Sequence, residues 1–493
     1  MIGADWREEV GRFEPARVAE ARRLVREANE ASGRRLLVLD DDPTGSQSVH
    51  GVEIVMMRET HPAEGDLEEL EEIARALQDP GSTCFVLTNS RSLPEADAAA
   101  ISFHFGRVAI ELERRFAGPV SVVSRSDSTL RGHLLAEVQA IDEGRRAAGG
   151  RGYDGVLLVP AYLEAGRFTA ADVQWARVGD DVLPVGRTEF AKDATFGYVN
   201  SDLRCLLEEK SGGAIRASAV ASVSLEDLRS GGCTHVAEVL GALRHGRFAV
   251  VNAADDSDLE IAALGVVRAE EDGASLLVRS GPSFVAALAG VEPVAPLGAK
   301  DIWPAGRPAG HGIVVVGSHV ALTNRQVEAL VDRGDVVTIV VDCDAIVDSG
   351  SSGAVVEACA SAARDALKSK DVLLITSRTL RIADGEANLT IGREIATAVA
   401  AIVRNTLSAG PAWLVAKGGV TSHSVLTRGL GLRRAEVVGQ LFAGFVSLFR
   451  PLEADTEALE MPCVVFAGNV GDDGALADVV AILRGDAGAR PGA

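Results

Sequence analysis

Two α/β domains, each built on a mostly parallel sheet, are what this sequence predicts, and three observations carry that expectation. Apolar runs of four to six residues alternate with helical patterns along most of the chain, the spacing of βαβ units. Aromatic residues are only 4% of the 493 residues, so Val, Ala and Leu must do the packing, as in parallel strands buried under Ala-rich helices. A Pro/Gly-rich stretch, 291–312, interrupts the alternation and reads as a linker.

In order, the amphipathic pattern over 14–32 predicts an N-terminal helix within 1–33. The first domain, 34–290, opens with strand 36–39, then helix 67–77, strand 84–87, helix 96–116, strand 120–123, helix 130–146 and strand 155–159. Stretches 220–240 and 248–264 continue the alternation less clearly. The second domain, 313–485, reads as strand 313–316, helix 323–333, strand 336–341, helix 354–367, strand 372–375, helix 394–407 and strands 413–416 and 463–466. Residues 486–493 read as a flexible tail.

The 49 Lys and Arg against 70 Asp and Glu give a net charge of −21. Such a chain repels nucleic acid and anionic membrane. Any anion it binds needs a locally positive site. The six cysteines form no C-x-x-C pair, so the expectation is buried reduced thiols rather than a zinc or redox site. The N-terminus has no apolar signal core and no run reaches about 18 apolar residues, so the expected location is the cytoplasm.

Ligands of open α/β sheets bind outside the carboxyl ends of the strands, so the loops after each strand are the places to search. Strand 36–39 delivers Asp40, Asp41 and Asp42, followed by Pro43, Thr44 and Gly45. Three adjacent carboxylates repel one another, a cost that a site handling cations or hydroxyls would offset; a solvated turn with an Asp helix cap is the alternative. Strand 120–123 leads into Ser124-Arg125-Ser126-Asp127-Ser128-Thr129-Leu130-Arg131-Gly132-His133. Asp127 or Ser128 can cap the next helix, and Arg125 with Arg131 can clamp a carboxylate. Asn89 and Arg91 follow strand 84–87 and read as substrate-binding support rather than as chemical groups. Gly166-Arg167-Phe168-Thr169 reads as a turn.

In the second domain, Gly317-Ser318-His319 ends strand 313–316, with Thr323 as a candidate cap. Lys417-Gly418-Gly419-Val420-Thr421-Ser422 is the strongest phosphate cradle: two glycines let backbone N–H groups approach an anion, and Lys417 supplies charge. It is not a Walker A loop, because G-x-x-x-x-G-K-[ST] does not occur. Gly468-Asn469-Val470-Gly471 reads as a second nucleotide-facing loop. His319 and His423 read as lone, hydrogen-bonded histidines.

These pieces, in this order across both domains, resemble the four-carbon acid sugar kinase family. The resemblance implies an N-terminal acid-sugar domain facing a C-terminal ATP domain across a cleft. It implies phosphorylation of a hydroxyl of threonate, erythronate or an oxidised tetronate in carbohydrate catabolism, with ATP and Mg²⁺. Asp40, Asp41, Asp42, Thr44, Arg125, Asp127, Ser128 and Arg131 would serve the acid sugar. Gly317, Ser318, Lys417, Gly418, Gly419, Val420, Thr421, Gly468 and Asn469 would serve ATP. The chain departs from many relatives at Ser124-Arg125-Ser126, where Lys occurs, and at Val420, where an acidic residue occurs. His133-Leu134-Leu135 also departs from close relatives.

The expected chemistry is in-line phosphoryl transfer, dominated by positioning and charge neutralisation. Asp41 or a neighbour among Asp40 to Asp42, or else Asp127, would orient or deprotonate the hydroxyl. Two rivals stay open. One is a catalytically silent homologue that binds acid sugar and nucleotide. The other, a dinucleotide-dependent oxidoreductase, lacks a G-x-G-x-x-G loop after a strand. Oligomeric state is open, with a homodimer as the candidate.

Overall fold

The computed structural model describes residues 6–42, 44–57, 68–306, 310–318, 320–348, 352–377, 386–456, 458–459, 461–468 and 470–486. It divides into two compact units, Met1–Val49 with Glu59–Pro293, and His50–Arg58 with Val294–Ala493.

The first unit carries a seven-stranded parallel sheet in the order Thr83–Leu87, Arg35–Asp40, Val120–Arg125, Leu276–Ser280, Gly155–Val159, Arg247–Val251, Ala221–Val223. Every residue of the Arg35–Asp40 and Val120–Arg125 strands is buried, as expected of strands covered on both faces. Helices Glu95–Phe116 and Leu134–Ala147 pack tightly against each other. A Cβ at Gly106 would strike the Ile141 carbonyl, and one at Gly144 the Phe103 carbonyl. Helix Asp256–Glu271 starts at a capping box formed by Asp255 and Asp258.

Two sequence readings are corrected here. The span 14–32 is not helical throughout: its helix covers only Ala21–Ser32, and a separate helix, Trp6–Arg12, precedes it. Pro15 disfavours helical backbone at Glu14, and Glu20 adopts a left-handed φ of 57° at the start of the second helix. The buried Arg229–Asp258 pair holds this segment, because Arg229 Nη1 donates to the carbonyls of Val10 and Phe13. Of residues 166–169, expected to form a turn, only Gly166 does. Arg167–Ala170 is a strand in a small antiparallel sheet with Val173–Val178 and Asp181–Pro184. Phe168 pairs with Trp175 across it, a cross-strand contact that single-segment periodicity cannot reveal.

In the second unit the parallel order is Val336–Val341, Asp371–Thr376, Ile313–Val316, Leu414–Lys417, Cys463–Phe466. Antiparallel strands Ser447–Ala454, Leu432–Gln440 and Val52–Met56 extend it. The last of these comes from the N-terminal half of the chain. Its core gathers Trp413, Phe449 and Phe466 with Val, Leu and Ile from strands and helices. Gly312 is required beside Trp413, since a Cβ there would enter the indole.

Residues of the 291–312 stretch pack onto this unit. Ile302 is buried in its core, the Leu297 amide donates to the Gln440 carbonyl, and Trp303 Nε1 donates to the Leu483 carbonyl. Arg484 ends helix Ala475–Arg484 and pairs with Asp371. The tail expected over 486–493 lies, beyond Asp486, outside the described residues. All six cysteines are free; Cys205 and Cys233 are half-buried and the other four buried. No helix among the described residues is long and apolar enough to cross a membrane.

Candidate functional site

The carboxyl edge of the first sheet gathers the polar loops that follow strands Thr83–Leu87, Arg35–Asp40 and Val120–Arg125. Asp40 and Arg125 end neighbouring strands and are register partners. Arg125 Nη1 donates to Asp40 Oδ1 at 2.8 Å, with both side chains buried. Asp40 Oδ2 has no hydrogen-bond partner among the described residues. Burial pushes the Asp40 carboxyl up to about 7; Arg125 opposes this, while Asp41 and Asp42 reinforce it. Gly45 folds back over the pair, where a Cβ would collide with Asp40 Oδ2 and Arg125 Nη1.

Arg91 offsets the crowding of the next two carboxylates. Its Nε donates to Asp41 Oδ2 at 3.1 Å and its Nη1 to Asp42 Oδ2 at 3.1 Å, and its Nη2 also donates to Asp41. Ser126 Oγ donates to Asp41 Oδ2 at 2.5 Å. Thr44 donates from its amide and hydroxyl to Asp42 Oδ1 at 2.9 and 2.7 Å. Burial pushes the Asp42 carboxyl up, but Arg91, Thr44 and Arg125 outweigh it and hold the group below its ordinary value. Asn89 takes a left-handed φ of 52° and starts the turn that aims Arg91 at the acidic loop.

Asp127 stands among cations. Arg131 Nε donates to its Oδ2 at 2.6 Å, and Thr129 donates to the same oxygen. Oδ1 carries no hydrogen bond among the described residues. Burial raises its pKa, yet Arg91, Arg131, Thr129 and Arg167 together hold it well below the carboxylate range. Ser128 Oγ accepts from Arg167 Nη1 at 3.0 Å. The Ser128 carbonyl accepts from buried Gln174 Nε2 at 2.9 Å. Leu130 and Gly132 have φ of 67° and 113°, which turn the loop back. A Cβ at Gly132 would lie 2.9 Å from Ser126 Oγ.

The structure thus brings Asp40, Asp41, Asp42, Thr44, Asn89, Arg91, Arg125, Asp127, Ser128 and Arg131 to one sheet edge. It adds residues that the sequence reading missed. Glu137, in the first turn of its helix, accepts from Ser90 Oγ at 2.6 Å and from Arg279 Nη1 at 2.5 Å. Arg279 Nη1 also donates to Ser124 Oγ at 2.6 Å. This buried network fixes the loops from beneath. Arg279 left a signal, a lone charge near the end of the apolar run Leu276-Leu277-Val278; Glu137 left none. Tyr162 Oη donates to Gln47 at 2.8 Å, tying the acidic loop to the segment before Arg167.

In the second unit three loops converge. Thr421 Oγ1 occupies the space where a Cβ of Gly317 would be. Gly418 has a φ of 108°, and a Cβ at Gly468 would lie 2.8 Å from Ser318 Oγ. Thr323 Oγ1 donates to the Gly468 carbonyl at 2.9 Å, and Gln326 Nε2 donates to the carbonyls of Val470 and Asp472 at 3.0 and 2.7 Å. Gln326 Oε1 stays buried without a partner among the described residues. Gly419 and Thr421 are half-buried in the first turn of helix Gly419–Ser424, and Val420 is exposed. Side-chain-free backbone at three loops suits an anion held by N–H groups.

Lys417 does not offer an open charge. It is fully buried, its Nζ donates to the Ala467 carbonyl at 3.0 Å, and it sits 3.7 Å from the Phe466 ring centroid. Burial lowers its pKa to about 7. It lies at the end of strand Leu414–Lys417, where the side chain points into the packed layer instead of the loop. His423 is buried too, with Nδ1 unpartnered among the described residues, and burial lowers it to about 4; the hydrogen-bonded histidine expected there is corrected. Pro43, His319 and Asn469 lie outside the described residues. Among the described residues no group of three or more His, Cys, Asp or Glu could hold a metal ion.

A sugar-binding N-terminal domain family matches residues 36–288, and a nucleotide-binding C-terminal domain family matches 313–476. No curated protein matches the chain. A Salmonella typhimurium LT2 structure, provisionally named a tRNA synthase, superposes with a TM-score of 0.60 at 18% identity. A Haemophilus influenzae protein from a domain family of unknown function does so with a TM-score of 0.55 at 17% identity. Each alignment covers 89% of this chain and 97% of the other, and at such identity the likeness is one of fold. With both domain families matched in order over most of its length, the chain belongs to the four-carbon acid sugar kinase family.

Proposed function

We propose that the protein uses ATP to phosphorylate a hydroxyl of a four-carbon acid sugar such as threonate, erythronate or 3-oxo-tetronate. The observation that carries this reading is Asp127: an ionised carboxylate with one unengaged oxygen, among three arginines, at the carboxyl edge of a sugar-binding domain. Oδ1 accepts the hydrogen bond of the sugar hydroxyl and aligns its oxygen for in-line attack. A loose transition state asks for little basicity until the proton leaves late, so a carboxylate that stays charged suits the task. Asp41 keeps Arg91 beside Asp127, and the Arg125–Asp40 pair with Glu137 and Arg279 keeps the loops in place.

Gly317, Ser318, Gly418 to Thr421 and Gly468 receive the ATP phosphates, with backbone N–H groups as donors. Lys417 steadies the Gly468 loop through the Ala467 carbonyl. Mg²⁺, held by the ATP phosphates themselves, would supply neutralisation of the phosphate charge. The location that fits this activity is the cytoplasm.

The test is ADP release from MgATP with D- and L-threonate, D- and L-erythronate and their oxidised forms. Turnover with one acid, absent without it, and reduced about 100-fold or more in Asp127→Asn, supports the reading. Acid and ATP binding without ADP production makes the protein a silent homologue. An Asp127→Asn variant with full turnover removes Asp127 from the reaction.

A further inference from the structure

Every arginine that the sequence nominates for a substrate carboxylate is already engaged by a protein carboxylate. Arg125 is paired with Asp40, Arg91 with Asp41 and Asp42, and Arg131 with Asp127. A ligand that took over the donors these arginines already give to protein carboxylates would have to displace a buried partner. Arg167 is different. Its guanidinium makes no ion pair among the described residues, and Ser128 Oγ is its hydrogen-bond partner at 3.0 Å. It is half-buried, lying 5.1 Å from the Phe190 ring centroid and 5.8 Å from that of Tyr162. Burial lowers its pKa and the neighbouring Arg131 adds to this, against the opposing pull of the Asp127 charge.

The position is also fixed. Arg167 exchanges two backbone hydrogen bonds of 2.9 Å with Tyr162. Its partner Ser128 is held by Gln174, whose own Oε1 accepts from Thr169 Oγ1 at 2.6 Å. Arg131 lies 5.4 Å from the centroid of the same Phe190 ring, so both cations border one aromatic ring. We propose that Arg167 receives the carboxylate of the acid substrate, with Ser128 and Arg131 bordering the same anion site. The acid end is then read by an arginine on the small antiparallel sheet, while Asp127 Oδ1 is left for a hydroxyl. The guanidinium fork matches a planar carboxylate through two parallel N–H donors. This inference rests on the acid-sugar reading above.

Calorimetric titration of the full-length protein with the same acids, without ATP, tests it. The variants are Arg167→Met, which keeps the stacking stem, and Arg167→Lys, which keeps the charge without the fork. The acid that binds the wild type should bind Arg167→Met on the order of 30-fold more weakly, and Arg167→Lys several-fold more weakly. The four-carbon alcohol lacking the carboxylate should bind wild type and Arg167→Met equally. Equal acid affinity in wild type and Arg167→Met overturns the assignment of Arg167 and leaves the kinase reading standing. If Arg167→Met does not fold, Arg167→Lys decides, and wild-type affinity in it overturns the assignment. A wild type that binds none of the acids overturns the acid-sugar reading and this inference with it.

Discussion

Asp40 and Arg125 face each other from register positions on adjacent parallel strands, and their 2.8 Å ion pair is sealed beneath Gly45. The backbone of the acidic loop can pass over the pair because Gly45 has no side chain.

Gly45→Ala should therefore push the loop off the pair. The added methyl has no free space and meets two buried charged groups. The expected loss is on the order of 2–3 kcal/mol, read as a lower urea midpoint. An unchanged midpoint would show that the loop relocates freely.

Asp40 should impose a pH dependence on stability. Its folded pKa of about 7 lies above the ordinary aspartate value of 3.8, so the folded state binds the proton more tightly. Between those values the native state carries more protons than the unfolded state, and stability falls as pH rises. Asp40→Asn should flatten this slope relative to wild type between about pH 4 and pH 7. Parallel curves for the two proteins would refute the shift.

The Glu137–Arg279 pair should be costly to break. Both side chains are buried, and Glu137 also receives Ser90. Arg279→Met leaves a buried carboxylate without its cation, a loss of about 3–5 kcal/mol by chemical denaturation. Glu137→Gln should cost less, since the amide oxygen still accepts a hydrogen bond.

Lys417 should show the opposite sign to Asp40. Burial lowers its pKa to about 7 from 10.5, so above pH 7 the unfolded state binds more protons and stability rises with pH until about 10.5. Lys417→Met should remove that rise. It should also weaken ATP binding by freeing the Ala467 carbonyl, which equilibrium titration with ATP would detect.

Sequence alone determined the two α/β domains, the strands that end at the polar loops and the identity of those loops. Apolar runs such as Leu36 to Leu39 and Ile313 to Val316 can satisfy their backbone and bury their side chains only in a covered parallel sheet, and a strand's end fixes where its loop emerges. What the tertiary structure decided is which charge meets which. Arg125 and Arg131 read alike in sequence, but register gives one to Asp40 and loop geometry gives the other to Asp127. Lys417 reads as an open cation, but strand alternation turns it into the packed layer. Glu137 and Arg279, 142 positions apart, leave no local trace of their pairing, and Arg167 belongs to a strand that exists only because Val173–Val178 pairs with it. Local pattern encodes burial and direction. Electrostatic partnership depends on distances of a few ångströms between segments far apart in the chain, and folding alone sets those distances.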